Sequence, residues 1–258
     1  MGQLEGRVAV ITGGGRGIGR AIAQRYASEG AHVVISARTQ TDLDAVLEQI
    51  TAAGGPPGHA VVADAMDPHD ARRPVTEAID RFAKVDIVVN NVGGDVGGTR
   101  DPFTVTDQAF EDTLRFSLVS LWWTTQAALP SMRDQGYGRV IFIGSGASKV
   151  SGGSLGYTSA KHAMVGLTKE LAKSVAPFGI NVNCLCPGWT NTSRIDFERM
   201  GQAEGLSAQK AHEKYAAEAL QNRVLEPDEL AGMAVLLGSG DGSGITGQVI
   251  SVDGGYRV

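Results

Sequence analysis

Short apolar runs rich in β-branched residues alternate along the chain with longer amphipathic stretches. The runs predict strands near Val8–Thr12, His32–Ser36, His59–Ala63, Asp86–Asn90, Arg139–Gly144, Asn181–Leu185 and Gln248–Val252. Continuous segments such as Val-Ala-Val-Ile and Ile-Val-Val read as strands buried on both faces, the pattern of a parallel sheet. Between them the 3.6-residue period predicts helices near Gly17–Glu29, Thr41–Ala53, Asp70–Phe82, Thr106–Asp134, Ser154–Ala176 and Pro227–Leu237. Strict alternation of strand and helix argues for an α/β fold, a doubly wound parallel sheet of about seven strands with helices on both faces.

No internal boundary interrupts this pattern, so residues 1–258 are expected to form one domain. Gly54-Gly-Pro-Pro-Gly58 reads as a turn. Two excursions exceed what a connection needs: the glycine-rich Gly93–Pro102 and the charged, irregular Thr192–Asn222. Long excursions of this kind serve as lids or binding loops, or are plain surface loops. Residues 192–222 are taken as the candidate substrate lid.

Composition narrows the function. A net charge of −5 with no basic cluster argues against a nucleic-acid surface. Cys184 and Cys186, the two cysteines, share one face of a predicted strand, too close in sequence for an ordinary disulfide. The five histidines are scattered, so no metal site is expected. The start lacks a basic segment leading into an apolar one, and no run is long and apolar enough to span a membrane. A cytoplasmic protein is the expectation.

The first chemical signal follows the first strand, where Thr12-Gly-Gly-Gly-Arg-Gly-Ile-Gly19 opens a helix. Gly13 permits a tight turn, Gly17 lets backbone approach a pyrophosphate, and Gly19 lets helix and strand pack closely. The free N–H groups and partial positive charge of the helix N-terminus favour the anion. The spacing differs from Gly-x-Gly-x-x-Gly, and its place between strand and helix gives it meaning. A dinucleotide site often ends its second strand with a carboxylate for the ribose 2′-OH. This chain has Ser36-Ala37-Arg38 there. A guanidinium suits a 2′-phosphate, with Arg16 as a second cation, so NADP(H) is favoured and NAD(H) remains open.

The second signal is Ser145 followed by Tyr157 and Lys161. Tyr157 and Lys161 are four residues apart and share a helical face. An ordinary phenol ionises near pH 10, so proton exchange near neutrality asks the surroundings to favour the phenolate by about 4 kcal/mol. A neighbouring ammonium and a cationic cofactor ring in a dry pocket supply charge of the right sign.

With these pieces placed, the chain resembles the single-domain short-chain dehydrogenase/reductase family over nearly its whole length, particularly the ketoacyl and ketone reductases. Thr12 to Gly19 matches the family's cofactor loop, Ile18 included. Asp64, with Ala65 after it, matches the acidic position near the adenine. Asn90-Asn91-Val92-Gly93 is similar to its Asn-Asn-Ala-Gly strand end. Pro187-Gly188, Thr190 and Thr192 match the segment that closes on the nicotinamide, and Val252-Asp-Gly-Gly255 matches the last strand.

The resemblance implies that Ser145 holds a carbonyl oxygen, that Tyr157 exchanges the proton, and that Lys161 holds the ribose and lowers the tyrosine pKa. It also implies a homotetramer built on the long central helices. Leu118, Leu121, Trp122 and Trp123 give an apolar segment there, equally explained as core.

Two departures stand out. The family's fourth catalytic position, an asparagine that anchors a water in the proton relay, is Ser117 here; a hydroxyl is shorter but can hold a water, so a weakened or rearranged relay is expected. The Ser145-to-Tyr157 interval is also one residue shorter than a common family spacing, and Ser148 is the lesser alternative to Ser145.

Gly94, Asp95, Gly146, Lys149, Val150 and Trp189 are candidate pocket residues. Trp189 and Phe197 point to an apolar or ring-bearing small-molecule substrate, or else pack the lid against the body. Lys149 either meets an anion or is solvated. The leading expectation is a ketoreductase using NADPH. The alternatives are an NAD-dependent alcohol dehydrogenase and a non-catalytic dinucleotide-binding sensor or scaffold.

Overall fold

Among the described residues seven strands form one parallel sheet, as the sequence pattern predicts; numbered by place in the chain, they lie in the order 3-2-1-4-5-6-7. The structure, a computed structural model, describes residues 2–97 and 99–258; Met1, at the start of the expected domain, and Gly98, inside the first excursion, lie outside the described residues. The strands are β1 (Val8–Thr12), β2 (His32–Ala37), β3 (His59–Val62), β4 (Ile87–Asn90), β5 (Gly138–Ile143), β6 (Ile180–Pro187) and β7 (Val249–Val252). The helices are α1 (Gly17–Ser28), α2 (Gln40–Ala52), α3 (Pro68–Phe82), α4 (Asp107–Leu114), α5 (Ser120–Asp134), α6 (Leu155–Val175), α7 (Phe197–Glu204), α8 (Ala208–Ala216) and α9 (Asp228–Gly238). Among the described residues no helix is long and apolar enough to cross a membrane.

Alternation along each strand divides the core in two. Ala9 and Ile11 of β1, Ile87 and Val89 of β4, and Ile141 of β5 join Ile22, Tyr26, Leu43 and Leu230 on one face. Val8, Val10, Val88, Val140 and Phe142 join Val75, Leu121, Met132 and Met164 on the other. Both sets are fully buried, which is why the central strands read as unbroken apolar runs. Cys184 and Cys186 share the second face with their sulfurs 3.7 Å apart, as the two-residue period requires.

Two expectations need correction. The stretch read as one helix over Thr106–Asp134 is broken by a π-turn at Arg115–Val119. There the Ser117 hydroxyl, fully buried, turns to the backbone of Gly94, and the Ser120 hydroxyl donates to Phe116 O at 2.7 Å. Such a bulge lets one side chain leave the regular ladder for a tertiary partner. The 192–222 excursion is not irregular, for it holds α7 and α8. Asp196 caps α7 through Arg199 N, Ser207 caps α8 through Lys210 N, and Gly205 at φ 70° ends α7 between them. These are ordinary start and stop signals that a charged, weakly apolar stretch conceals.

The amino edge of the sheet carries a charge cluster. The Asp86 carboxylate, 1% exposed, accepts from Val8 N at 2.8 Å and Arg7 Nη1 at 2.9 Å, with Lys84 Nζ 2.8 Å away. Close by, the Tyr137 ring lies between the Arg7 and Arg139 guanidiniums, 3.7 and 4.2 Å from its centroid. The buried Arg139 also donates to Gly138 O, and through Nε to Ser239 O just after α9. Truncating Asp86 strands the Val8 N–H in the core. Asp86→Ala is expected to lower the unfolding free energy by about 1–3 kcal/mol, measured by urea denaturation, with the slope against urea unchanged.

Candidate active site

The strand order reverses at β1, so the chain leaves β1 and β4 toward opposite faces and a crevice opens above their carboxyl ends. Thr12 holds its two walls in register: its hydroxyl accepts from Asn91 N at 3.0 Å and Val92 N at 3.2 Å. The Asn91 amide answers by donating to Thr12 O and Gly13 O, both at 3.1 Å. Gly13 and Gly17 take φ of 64° and 56°, the left-handed region open to glycine. A Cβ on Gly19 would lie 2.3 Å from Gly13 O, so helix α1 seats against the loop only with glycine there. Ile18 packs into the core beneath.

The crevice is lined by Thr12, Ala37, Ala65, Asn90, Val92 and Thr124, among others. Asn90 donates to Thr125 Oγ1 at 2.9 Å, and its Oδ1 is buried with no protein partner. Arg16, at the N-cap of α1, and Arg38, just past β2, are exposed, and neither forms a side-chain hydrogen bond or ion pair among the described residues. Asp64 lies two residues beyond the end of β3, where its carboxylate turns onto Met66 N at 3.0 Å. These residues fit a dinucleotide: a glycine cradle at a helix N-terminus, uncommitted cations at the carboxyl edge, and an unpaired buried acceptor.

Further along the same edge, β5 ends at Ile143 and delivers Ser145. Gly144 is obligatory in this turn, because a Cβ would fall 2.7 Å from both cysteine sulfurs. The half-buried Ser145 caps a short 3-10 turn, its Oγ accepting from Ala147 N at 3.2 Å. Ser148 is buried and accepts from Ser145 N at 3.1 Å, so it holds Ser145 rather than replacing it. Helix α6, capped by Ser154 at Tyr157 N, then places Tyr157 half-buried and Lys161 3% exposed one turn below. Lys161 Nζ donates to Ile143 O at 2.7 Å and lies 5.6 Å from the Tyr157 ring centroid.

Ser117 closes the back of the site. Its Oγ accepts from Gly94 N and donates to Gly94 O, both at 2.8 Å. A Cβ on neighbouring Gly93 would meet Lys161 Nζ at 3.4 Å and Ser117 Oγ at 3.5 Å. Four sequence-predicted positions, Gly93, Ser117, Lys161 and Tyr157, are thus brought together. The serine donates its proton to a backbone carbonyl, where the sequence suggested a held water.

On the other wall, buried Pro187 ends β6, and Gly188 passes so close to Asp253 O that a Cβ would lie 2.7 Å from it. Thr190 is buried with its hydroxyl on Gly188 O at 3.0 Å, and the Thr192 methyl would be 3.1 Å from a Cβ on Gly17. Sequence reasoning missed Arg194, whose Nη1 donates to Gly93 O at 2.6 Å across the crevice. No motif marks it; only the fold brings residues 93 and 194 together.

Trp189 and Phe197 both pack against α8. The Trp189 indole donates to Glu218 Oε2 at 2.7 Å and lies 4.7 Å from Tyr215, and Phe197 lies 5.0 Å from His212. Lys149 is exposed, as the solvated reading expects, and it also pairs with Asp253 at 3.1 Å and donates to Ser251. Burial raises the Asp253 pKa, but Lys149 and the Gly255 and Tyr256 N–H groups outweigh it and leave the carboxyl below its ordinary value. Asp67, His69 and Asp70 gather at the start of α3, where Asp67 caps the helix through His69 N and Asp70 N.

This geometry has close relatives. The family model for short chain dehydrogenase matches residues 7–202. A proposed ketoacyl reductase of the monensin polyketide synthase from Streptomyces virginiae is 35% identical, covering 99% of this chain and 98% of its own length. The 3-oxoacyl-[acyl-carrier-protein] reductase of Aquifex aeolicus is 31% identical, with 98% of each chain covered. Among solved structures, a proposed NAD(P)-dependent gluconate 5-dehydrogenase from Beutenbergia cavernae, with NADP bound at low occupancy, superposes with a TM-score of 0.87 at 35% identity over 98% of each chain. The chain belongs to the short-chain dehydrogenase family. It is an oxidoreductase acting between CH–OH and C=O groups, on a fold that binds a nicotinamide dinucleotide.

Gly19→Ala sets a Cβ against backbone with nothing flexible to yield. The substitution is expected to weaken dinucleotide binding by about ten- to a hundredfold, followed by the quenching of tryptophan fluorescence on titration.

Proposed function

We propose that the protein is an NADPH-dependent ketoreductase, with Tyr157 as proton donor to the carbonyl oxygen of a small-molecule ketone. One observation carries this reading above the others. A buried Lys161 ammonium, anchored on Ile143 O, lies one helical turn from Tyr157 and beside Gly93 and Ser117 at the open end of the crevice. Burying a cation is costly unless it is used or paired, and among the described residues no carboxylate pairs with it.

A bound nicotinamide supplies the hydride. Ser145, its N–H held by Ser148, offers its hydroxyl to the carbonyl oxygen as negative charge grows there. Tyr157 passes its phenolic proton to that oxygen, and Lys161 favours the phenolate left behind. The donors on Lys161 other than the one on Ile143 O are available to ribose hydroxyls. Ser117 fixes Gly93 and Gly94, and so the floor on which Lys161 rests. The free guanidiniums of Arg38 and Arg16 support NADP(H) over NAD(H), through bidentate contact with a 2′-phosphate. The exposed apolar Val119 and Leu155, at the start of α5 and on α6, support the homotetramer that the family resemblance implies.

A second reading, a dinucleotide-binding protein without turnover, draws on Ser117, whose proton is committed to Gly94 O. Oxidation of NADPH and NADH against a panel of acyl, cyclic and aryl ketones separates the two. Tyr157→Phe is expected to lower kcat/KM by about 10²–10⁴-fold with the cofactor Kd unchanged. If the wild-type chain binds NADPH yet turns over no ketone, the second reading gains. Arg38→Asp is expected to reverse the preference toward NADH; retention of NADPH preference would sink the 2′-phosphate assignment.

A further inference from the structure

Three separate segments converge below the carboxyl edge: the loop 145–154, the segment 189–219 that carries α7 and α8, and the stretch after β7. All three meet at Glu218. Its Oε2 accepts from the Trp189 indole at 2.7 Å, and its Oε1 accepts from Arg257 Nη2 at 2.6 Å. Its backbone carbonyl accepts from Arg257 N at 2.9 Å. Arg257 then reaches on, donating from Nη1 to Ser151 O at 2.6 Å in the loop that joins Ser145 to Tyr157.

The contacts propagate outward from this point. Trp189 packs at a tilt of 57° against Tyr215 of α8, and Tyr215 donates to Glu204 of α7 at 2.7 Å, where Lys214 also pairs at 2.7 Å. Tyr256, beside Arg257, lies against Gly146 and Gly152, where a Cβ would come within 2.4 and 3.0 Å of it. One carboxylate therefore ties both lid helices to the loop carrying Ser145. Arg257 takes a left-handed φ of 49°, a strained backbone for a side-chain-bearing residue, which its contacts on two sides hold in place. Glu218 and Arg257 side chains are 20% and 37% exposed, so the pair is screened and weak enough to open and close reversibly.

We propose that Glu218 is the positioning residue for lid closure. Its two carboxylate oxygens hold Trp189 and Arg257 together, so that α7 and α8 close over the Ser145 loop, and the lid opens by breaking the Glu218–Arg257 pair. Glu218 touches neither reacting atoms nor cofactor; its effect on ketone binding rests on the reductase reading above, but the closure itself does not.

The test is hydrogen exchange by mass spectrometry on the full chain, wild type against Glu218→Gln, Arg257→Met and the double variant, followed by steady-state kinetics. Glutamine keeps the size and one acceptor, and loses the charge that holds both donors. Each single variant is expected to speed exchange in 197–216 by about two- to fivefold, with exchange in the central strands and the urea midpoint unchanged. The double variant is expected to add little to either single one, since both break one link. Kinetically, KM for the ketone rises while kcat and cofactor Kd hold. Unchanged exchange in 197–216 would overturn the proposal, as would a uniform rise across the whole chain, which marks Glu218 as ordinary structure. If exchange responds as expected and no ketone is turned over by the wild type, the closure stands and the reductase reading is what fails.

Discussion

Everything at the site depends on how the two strands at the reversal of the sheet are held at their carboxyl ends. β1 and β4 are neighbours, yet the chain departs from them to opposite faces, so no helix covers the gap above them. Backbone N–H groups exposed there need partners, and the Thr12 hydroxyl accepts two of them, from Asn91 and Val92. The Asn91 amide returns two hydrogen bonds to Thr12 O and Gly13 O. This reciprocal tie fixes the glycine loop against the β4 end without filling the crevice, leaving a cavity with rigid walls and an open mouth.

The chemistry hangs from that frame by short connections. Lys161 is fixed by the carbonyl of Ile143, the last residue of β5, and Ser145 follows two residues later. The interval between Ser145 and Tyr157, one residue shorter than a common family spacing, is taken up by the 3-10 turn and the Ser154 cap. Ser117 reaches the site from a π-turn, where the ladder of the long central helix is interrupted. Ser145 sits just past the end of a strand, Ser117 in the π-turn, and Tyr157 and Lys161 on the first two turns of α6, so irregular backbone and one helix face together point side chains at the crevice.

The sheet was legible because its strands are buried on both faces, and burial writes itself as apolar runs such as Val8–Thr12. The glycine loop was legible because the left-handed turn at Gly13 and the close approach of α1 at Gly19 both call for glycine. The helix break at Ser117 was not, since the π-turn answers to Gly94, distant in sequence, and local periodicity carries no trace of that. Helices α7 and α8 were hidden by charge, although Asp196 and Ser207 mark their starts. The contacts of Arg194 with Gly93 and of Glu218 with Arg257 were invisible for a further reason: each joins segments with no repeat, motif or spacing to link them. Lys149 reads as an exposed lysine in sequence and is exposed in the fold, where its pairing with Asp253 is the part that sequence could not show.

The Asp86 cluster and the Arg7–Tyr137–Arg139 stack occupy the amino edge of the sheet, at the opposite end of strands whose length is about 16 Å. Groups that far apart, with no shared partner, contribute to stability independently. The molecule therefore keeps its structural reserve and its chemistry at separate addresses. Substitutions that reshape the mouth of the crevice draw on a reserve they do not touch, and strengthening the amino edge enlarges the range of pockets the same scaffold tolerates. For a fold that hosts many substrates, this division of labour lets specificity drift while the sheet stays folded.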